Sequence, residues 1–411
     1  MQLFGVSLVT WTKKSAYIHN FILYPRLQLM MINHRIPMLK MKMRVTNPKH
    51  DDRKLFSCFL VATLAIHCQI VACHASQVPA MFVFGDSLVD DGNNNFLSSI
   101  AKSNYYPYGI DFLQGPTGRF CNGRTVIDAL CDFLGLPYLP PYATAGNGSR
   151  LLYGVNYASA SAGILDESGQ YLGQRYSLSQ QVLNFESNLN DLKALIGNEN
   201  FDQYLAKSIV IMILGSNDYI NNYLLPNLYP SSSKYNPQDY ANLLLNKYTR
   251  QILALHSLGL RKFLLAGIGP LGCIPNQRAS GLVPADRCVD QVNQIVGYFN
   301  SGLRSLVKQL NTDHQGAFFI YGDTFRGLGE ILNNPSRYGF SVIDSGCCGL
   351  GRNRGQISCL PFAIPCAERN QYAFWDAYHP TEAVNLILAE RAFTGPPEDV
   401  YPINVQHLAQ L

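Results

Sequence analysis

What most limits the folds open to this chain is a repeating alternation of short apolar runs with longer stretches of helical spacing. Residues 80–84 are apolar and stop at Gly85, and residues 151–157, 208–214, 262–266 and 317–321 repeat that kind of run. Between them, residues 125–134 place Val126, Ile127, Leu130 and Leu134 on one helical face before Gly135. Helical patterns also cover 179–196, ending at Gly197, 237–258, ending at Gly259, and 288–310. A last helix begins after Pro380, at Thr381-Glu382, and reaches Phe393. Strands that alternate with helices pair in parallel and need cover on both faces. The expectation is an α/β chain: a three-layer α/β/α sandwich around a central five-stranded, mainly parallel sheet. No linker interrupts the pattern, so residues 76–411 read as a single domain.

Charge is divided unevenly. The chain carries 32 Lys/Arg and 28 Asp/Glu, a net charge of +4, but ten of the basic and two of the acidic residues precede residue 76. The remaining 22 basic and 26 acidic residues give 76–411 a net charge of −4, with no electrostatic footprint for nucleic acid. The basic excess lies ahead of an apolar run at 55–66, and small residues follow near Ala75. That order reads as a secretory signal over 41–75, with cleavage after Ala75, and 1–40 as a mis-extended or dispensable leader. The rival reading is an uncleaved anchor, but His67 and Gln69 interrupt the run, so no stable membrane span of about 20 apolar residues is expected.

Three of the eleven cysteines precede residue 76, which leaves an even number: Cys121, Cys131, Cys273, Cys288, Cys347, Cys348, Cys359 and Cys366. Pairing in an oxidising compartment follows, with the connectivity open. Asn147-Gly148-Ser149 is a glycosylation acceptor in a glycine-rich loop. These signs agree on a secreted, extracellular glycoprotein, expected to be a monomer.

The chemistry-bearing residues sit where the apolar runs end. Gly85-Asp86-Ser87 delivers a hydroxyl at the carboxyl edge of the first run, where open α/β sheets bind ligands. Asp376 precedes His379 by three residues, so its carboxylate can reach the near ring nitrogen and leave the other free to take a proton from a serine. Gly163 and Asn217 follow further run ends and are candidate donors to a developing oxyanion. Each motif alone is more often what a turn or a helix cap contains. Their order carries the signal. The pentapeptide Gly-x-Ser-x-Gly of an ordinary α/β-hydrolase is absent from the sequence.

The ordered set Gly85-Asp86-Ser87-Leu88, Gly163, Gly215-x-Asn217-Asp218 and Asp376-x-x-His379-Pro380 resembles the plant GDSL esterase/lipase family, within the SGNH-hydrolase superfamily. Further likenesses are Gly92-Asn93-Asn94-Asn95, Arg119-Phe120-x-Asn122-Gly123-Arg124, Cys347-Cys348-Gly349 and Asn370-x-Tyr372-x-Phe374-Trp375-Asp376. The likeness spans residues 78–395, with one departure: Ala160 stands where this branch commonly has glycine in its second block. The resemblance implies a flavodoxin-like fold and a cofactor-free, metal-free serine esterase or lipase. Ser87 would be the nucleophile, His379 its base and Asp376 the orienting acid. The Ser87 N–H, Gly163 and Asn217 would form the oxyanion hole. Its partner would be an ester: a lipid, a polyester, or an acylated small molecule or polysaccharide. An acyltransferase on the same site and an inactive binding protein are the alternative expectations.

Overall fold

The computed structural model of this protein describes residues 76–411, so the expectations for 1–40 and 41–75, including the run at 55–66, fall outside the described residues. Four strands lie side by side in chain order and in parallel: β1 (Met81–Gly85), β2 (Ile209–Ile213), β3 (Lys262–Ala266) and β4 (Phe318–Gly322). Their register sets Met81 beside Ile209, Ile209 beside Lys262, and Lys262 beside Phe318. Two short strands, β5 (Val342–Gly346) and β6 (Tyr372–Phe374), pair separately in parallel. A two-residue strand, β7 (Val400–Tyr401), closes the main sheet antiparallel to β4.

Strand side chains alternate between two apolar layers, as period-two geometry requires. Phe82, Phe84, Val210, Met212, Phe263 and Phe319 pack with helices α2 (Leu178–Ile196), α4 (Pro237–Ser257) and α5 (Asp290–Asp313). The short α3 (Asn198–Lys207) joins that layer through Phe201 and Leu205. Met81, Val83, Ile209, Ile211, Leu264 and Ile320 face the other way, onto α1 (Val126–Leu134), α7 (Glu382–Thr394) and α8 (Val405–Gln410). Another helix, α6 (Thr324–Asn333), follows β4 directly. The three-layer sandwich and its five-stranded, mostly parallel sheet are therefore present, with one strand exchanged. Residues 151–157 do not form the expected strand: Ser149–Tyr153 is a 3-10 turn, and Asn156 alone bridges Val83. Gly154 is the cause. Its φ of 106° breaks the extended run, and it lies so close to the Met81 carbonyl that no Cβ would fit. The fifth strand is β7 instead.

The cysteines pair as Cys273–Cys288, Cys347–Cys366 and Cys348–Cys359. Cys121 and Cys131 remain buried thiols, and burial pushes both well above the ordinary thiol pKa.

Candidate active site

β1 hands over to a tight turn in which the amides of Val89 and Asp90 both donate to the Asp86 carbonyl. Gly85 is needed at the joint, because a Cβ there would stand 2.7 Å from the Ile213 carbonyl and closer still to Val89. The Gln181 side chain, from α2, brackets Gly85 by accepting from its N–H (2.9 Å) and donating to its carbonyl (2.8 Å). Ser87 is thereby held at the carboxyl edge of the sheet.

His379 arrives from the far end of the chain on a turn between β6 and α7, closed by the Trp375 N–H donating to the His379 carbonyl at 2.8 Å. Its Nε2 lies 2.8 Å from Ser87 Oγ, across 292 residues of sequence, and its Nδ1 is 2.9 Å from both oxygens of Asp376. Asp376 is fully buried. It accepts from the Tyr378 and His379 amides at 2.8 Å, from the Tyr108 hydroxyl at 2.6 Å and from the Ser358 hydroxyl at 3.3 Å. Burial alone would raise its pKa, but His379, Tyr108 and the Tyr378 amide together hold it below the usual carboxylate value. An ionised Asp376 fixes the proton on Nδ1, which leaves Nε2 as the acceptor facing the serine. The Phe120 ring lies 5.1 Å from the imidazole, tilted by 40° to it.

The neighbouring sequence blocks position this pair. Asn93 donates to the Asn156 and Ala158 carbonyls, and Asn94 to those of Ala101 and Ala160, so the Asn93-Asn94 turn laces the 156–160 loop beside Ser87. Arg119 forms a two-pronged bond to Asp128, at 2.7 and 2.8 Å. The Asn122 side chain accepts the Glu382 N–H, and Arg124 pairs with Glu382 at 2.7 Å, which fastens the 119–124 segment to the start of α7.

Donors to an oxyanion separate by direction. The N–H groups of Ser87, Ser161 and Gly163 all lack an acceptor among the described residues. The Ala162 carbonyl accepts from Asn217 Nδ2 at 2.9 Å, and that peptide is trans, so the Gly163 N–H is turned away from the Asn217 amide. Gly163 is instead packed on Asp218, where a Cβ would lie 2.6 Å from Oδ1. Asp218 in turn accepts from the Ile164 and Leu165 amides and the Ser168 hydroxyl. Ser161 behaves in the opposite way. Asn94 holds the Ala160 carbonyl on its protein side, which directs the Ser161 N–H outward, and Ser161 lines the cavity at Ser87 with a left-handed φ of 64°. Sequence reasoning missed Ser161, Tyr108 and Ser358. The first offers only a backbone N–H, and the other two stand in loops without any periodic pattern.

Two cavities meet at Ser87, Asn217 and His379. One, of about 130 Å³, runs under the strand ends between Ile213, Leu264, Leu328 and Leu388 and is mainly apolar. The other, of about 260 Å³, is lined by Tyr105, Tyr108, Phe120, Tyr171 and Tyr378. Such a junction suits an ester, with its carbonyl carbon at Ser87 and its two halves in different cavities.

A family model described as GDSL-like Lipase/Acylhydrolase matches residues 81–392. GDSL esterase/lipase At1g71250 of Arabidopsis thaliana is 60% identical over 337 residues, covering 82% of this chain and 90% of its own length. GDSL esterase/lipase At5g08460 of the same plant is 53% identical over 341 residues (82% and 89%), and At1g29670 is 49% identical over 358 (86% and 98%). The chain therefore belongs to the GDSL lipase/acylhydrolase family and is a carboxylic ester hydrolase.

Proposed function

We propose that the enzyme cleaves acyl esters through a covalent acyl-serine intermediate. Ser87 Oγ attacks the ester carbonyl while His379 Nε2 takes its proton, and Asp376 orients the imidazole and stabilises its charged form. The Ser87 N–H, the Ser161 N–H and the second Asn217 Nδ2 hydrogen receive the oxyanion, Ser161 taking the place expected of Gly163. His379 then returns the proton to the leaving alcohol, and water repeats the sequence to release the acid. The observation that carries this reading is the 2.8 Å contact between His379 Nε2 and Ser87 Oγ, with Asp376 on the other ring nitrogen. The apolar cavity favours an alkyl acyl group, and the tyrosine-lined one an alcohol with an apolar or ring face.

Three disulfides and an exposed Asn147 favour an extracellular, glycosylated protein. Among the described residues no helix is long and apolar enough to cross a membrane.

A fluorophosphonate probe should label the wild-type protein stoichiometrically and leave Ser87→Ala unlabelled. Labelling that survives in a folded Ser87→Ala protein would overturn the assignment. A series of esters from acetyl to palmitoyl then ranks the acyl cavity. A strict acetyl preference would remove the alkyl-chain reading.

A further inference from the structure

Three of the most exposed apolar side chains of this molecule lie in two loops that border the tyrosine-lined cavity. Ile100 lines that cavity and is still 78% exposed. Across from it, the segment 358–366 holds Phe362 at 87% and Ile364 at 92% exposure, with Leu360 half exposed. The two loops are joined: the Tyr105 hydroxyl donates to the Cys359 carbonyl at 2.9 Å, and the Phe362 N–H donates to the Tyr106 carbonyl at 2.8 Å.

We propose that this apolar collar seats the enzyme on the surface of an undissolved, uncharged ester phase, so that substrate enters the cavity directly from that phase. The inference rests on the ester-cleaving role of Ser87. Charge selects the occupant. Residues 358–366 and 103–110 contain no charged side chain. The nearby Lys102 turns its ammonium inward, onto the Asn94, Asn95 and Leu97 carbonyls. A surface without charge at its centre gains nothing from an anionic membrane and matches a neutral one. Continuity with the cavity points the same way, because the collar and the cavity share Ile100 and Tyr105.

The collar is also built not to collapse. Disulfides from Cys359 to Cys348 and from Cys366 to Cys347 close both ends of the exposed segment. Phe362 stands in the left-handed region at φ 62°, a conformation bulky residues rarely adopt, and its ring faces solvent. The ordering entropy of the segment's backbone is largely met on folding, before contact with any surface.

The test pairs a soluble and an undissolved substrate. Phe362→Asp combined with Ile364→Asp charges the collar, and aspartate tolerates the left-handed conformation. Flotation with a trioctanoin emulsion should recover wild-type protein and Ser87→Ala alike. The double variant should float at least about tenfold less, since even one of the two apolar side chains, once buried, contributes about that factor. Its turnover of emulsified trioctanoin should fall with binding, while kcat/KM on dissolved p-nitrophenyl acetate stays within about twofold. Equal flotation of variant and wild type would overturn the proposal. So would better recovery of wild type on anionic phospholipid vesicles than on trioctanoin, or a wild-type dimer that the variant dissociates without a change in flotation. If wild type floats but cleaves neither ester, the catalytic reading fails and the surface stands. If it cleaves both and does not float, the surface fails and the catalytic reading stands.

Discussion

Ser87 is an ordinary hydroxyl until its neighbours constrain it, and each constraint makes a separate prediction. Asn217→Ala removes one proposed oxyanion donor and should lower kcat about 100- to 1000-fold with little change in KM, measured on a dissolved ester. Full activity in that variant would return Asn217 to a turn residue. Tyr108→Phe deletes the 2.6 Å hydroxyl contact to Asp376 while keeping the ring, so kcat should fall about tenfold with KM nearly unchanged. At this scale the sequence was most readable where chemistry demands a side-chain type. Serine, histidine and aspartate in order announce themselves. A backbone N–H does not, because its direction is set by the peptide carbonyl on its other side. Gly163 is ambiguous for a related reason: a glycine that makes room for the Asp218 carboxylate looks the same in sequence as one that presents an N–H.

Helices were legible because they carry their own punctuation. Thr125 caps α1 through a reciprocal bond with Asp128, and Gly135 ends it in the left-handed conformation. Residues 151–157 were less legible because apolar side chains bury equally well in a turn. Leu151, Val155 and Tyr157 all reach the core, and only the Gly154 conformation denies them a strand. β7 is too short for any periodic signal and exists through its pairing with β4. Among these elements the disulfide-closed segment has the plainest mechanical role. The Cys348 N–H donates to the Trp375 carbonyl at 2.7 Å, and the Cys347 N–H donates to the Phe374 carbonyl at 3.0 Å, one and two residues before Asp376. Replacing Cys348 and Cys359 together by serine should lower stability by about 2–4 kcal/mol in denaturant unfolding. It should also slow turnover of a dissolved ester, because Ser358 and the turn bearing Asp376 share that support. Unchanged kcat in a measurably destabilised variant would separate the clamp from the site.

For the molecule as a whole, buried carboxyls set an unusual dependence on pH. Asp86 is buried with one oxygen accepting the Leu88 N–H and the other without a partner among the described residues, and burial pushes its pKa up to about 7. Between about pH 4 and 7 the folded protein keeps a proton that the unfolded chain has lost. The contribution of Asp86 to stability is therefore complete below the unfolded pKa and declines as pH rises toward 7, by at most about 1.4 kcal/mol per pH unit. Asp376 acts oppositely, but its depressed pKa moves that loss below this window. Thermal unfolding should accordingly give a higher Tm at pH 5 than at pH 8, with a shallower slope in Asp86→Asn. A Tm that climbs steadily to pH 8 would contradict this account. The separation of 292 residues between Ser87 and His379 has a further consequence, in time. At a synthesis rate of about 5–20 residues per second, the growing chain holds Ser87 for about 15 to 60 s before His379, its proposed base, exists. Throughout that interval the nascent polypeptide should be chemically silent toward esters around it, and hydrolytic power should arrive only once the turn ahead of α7 is made.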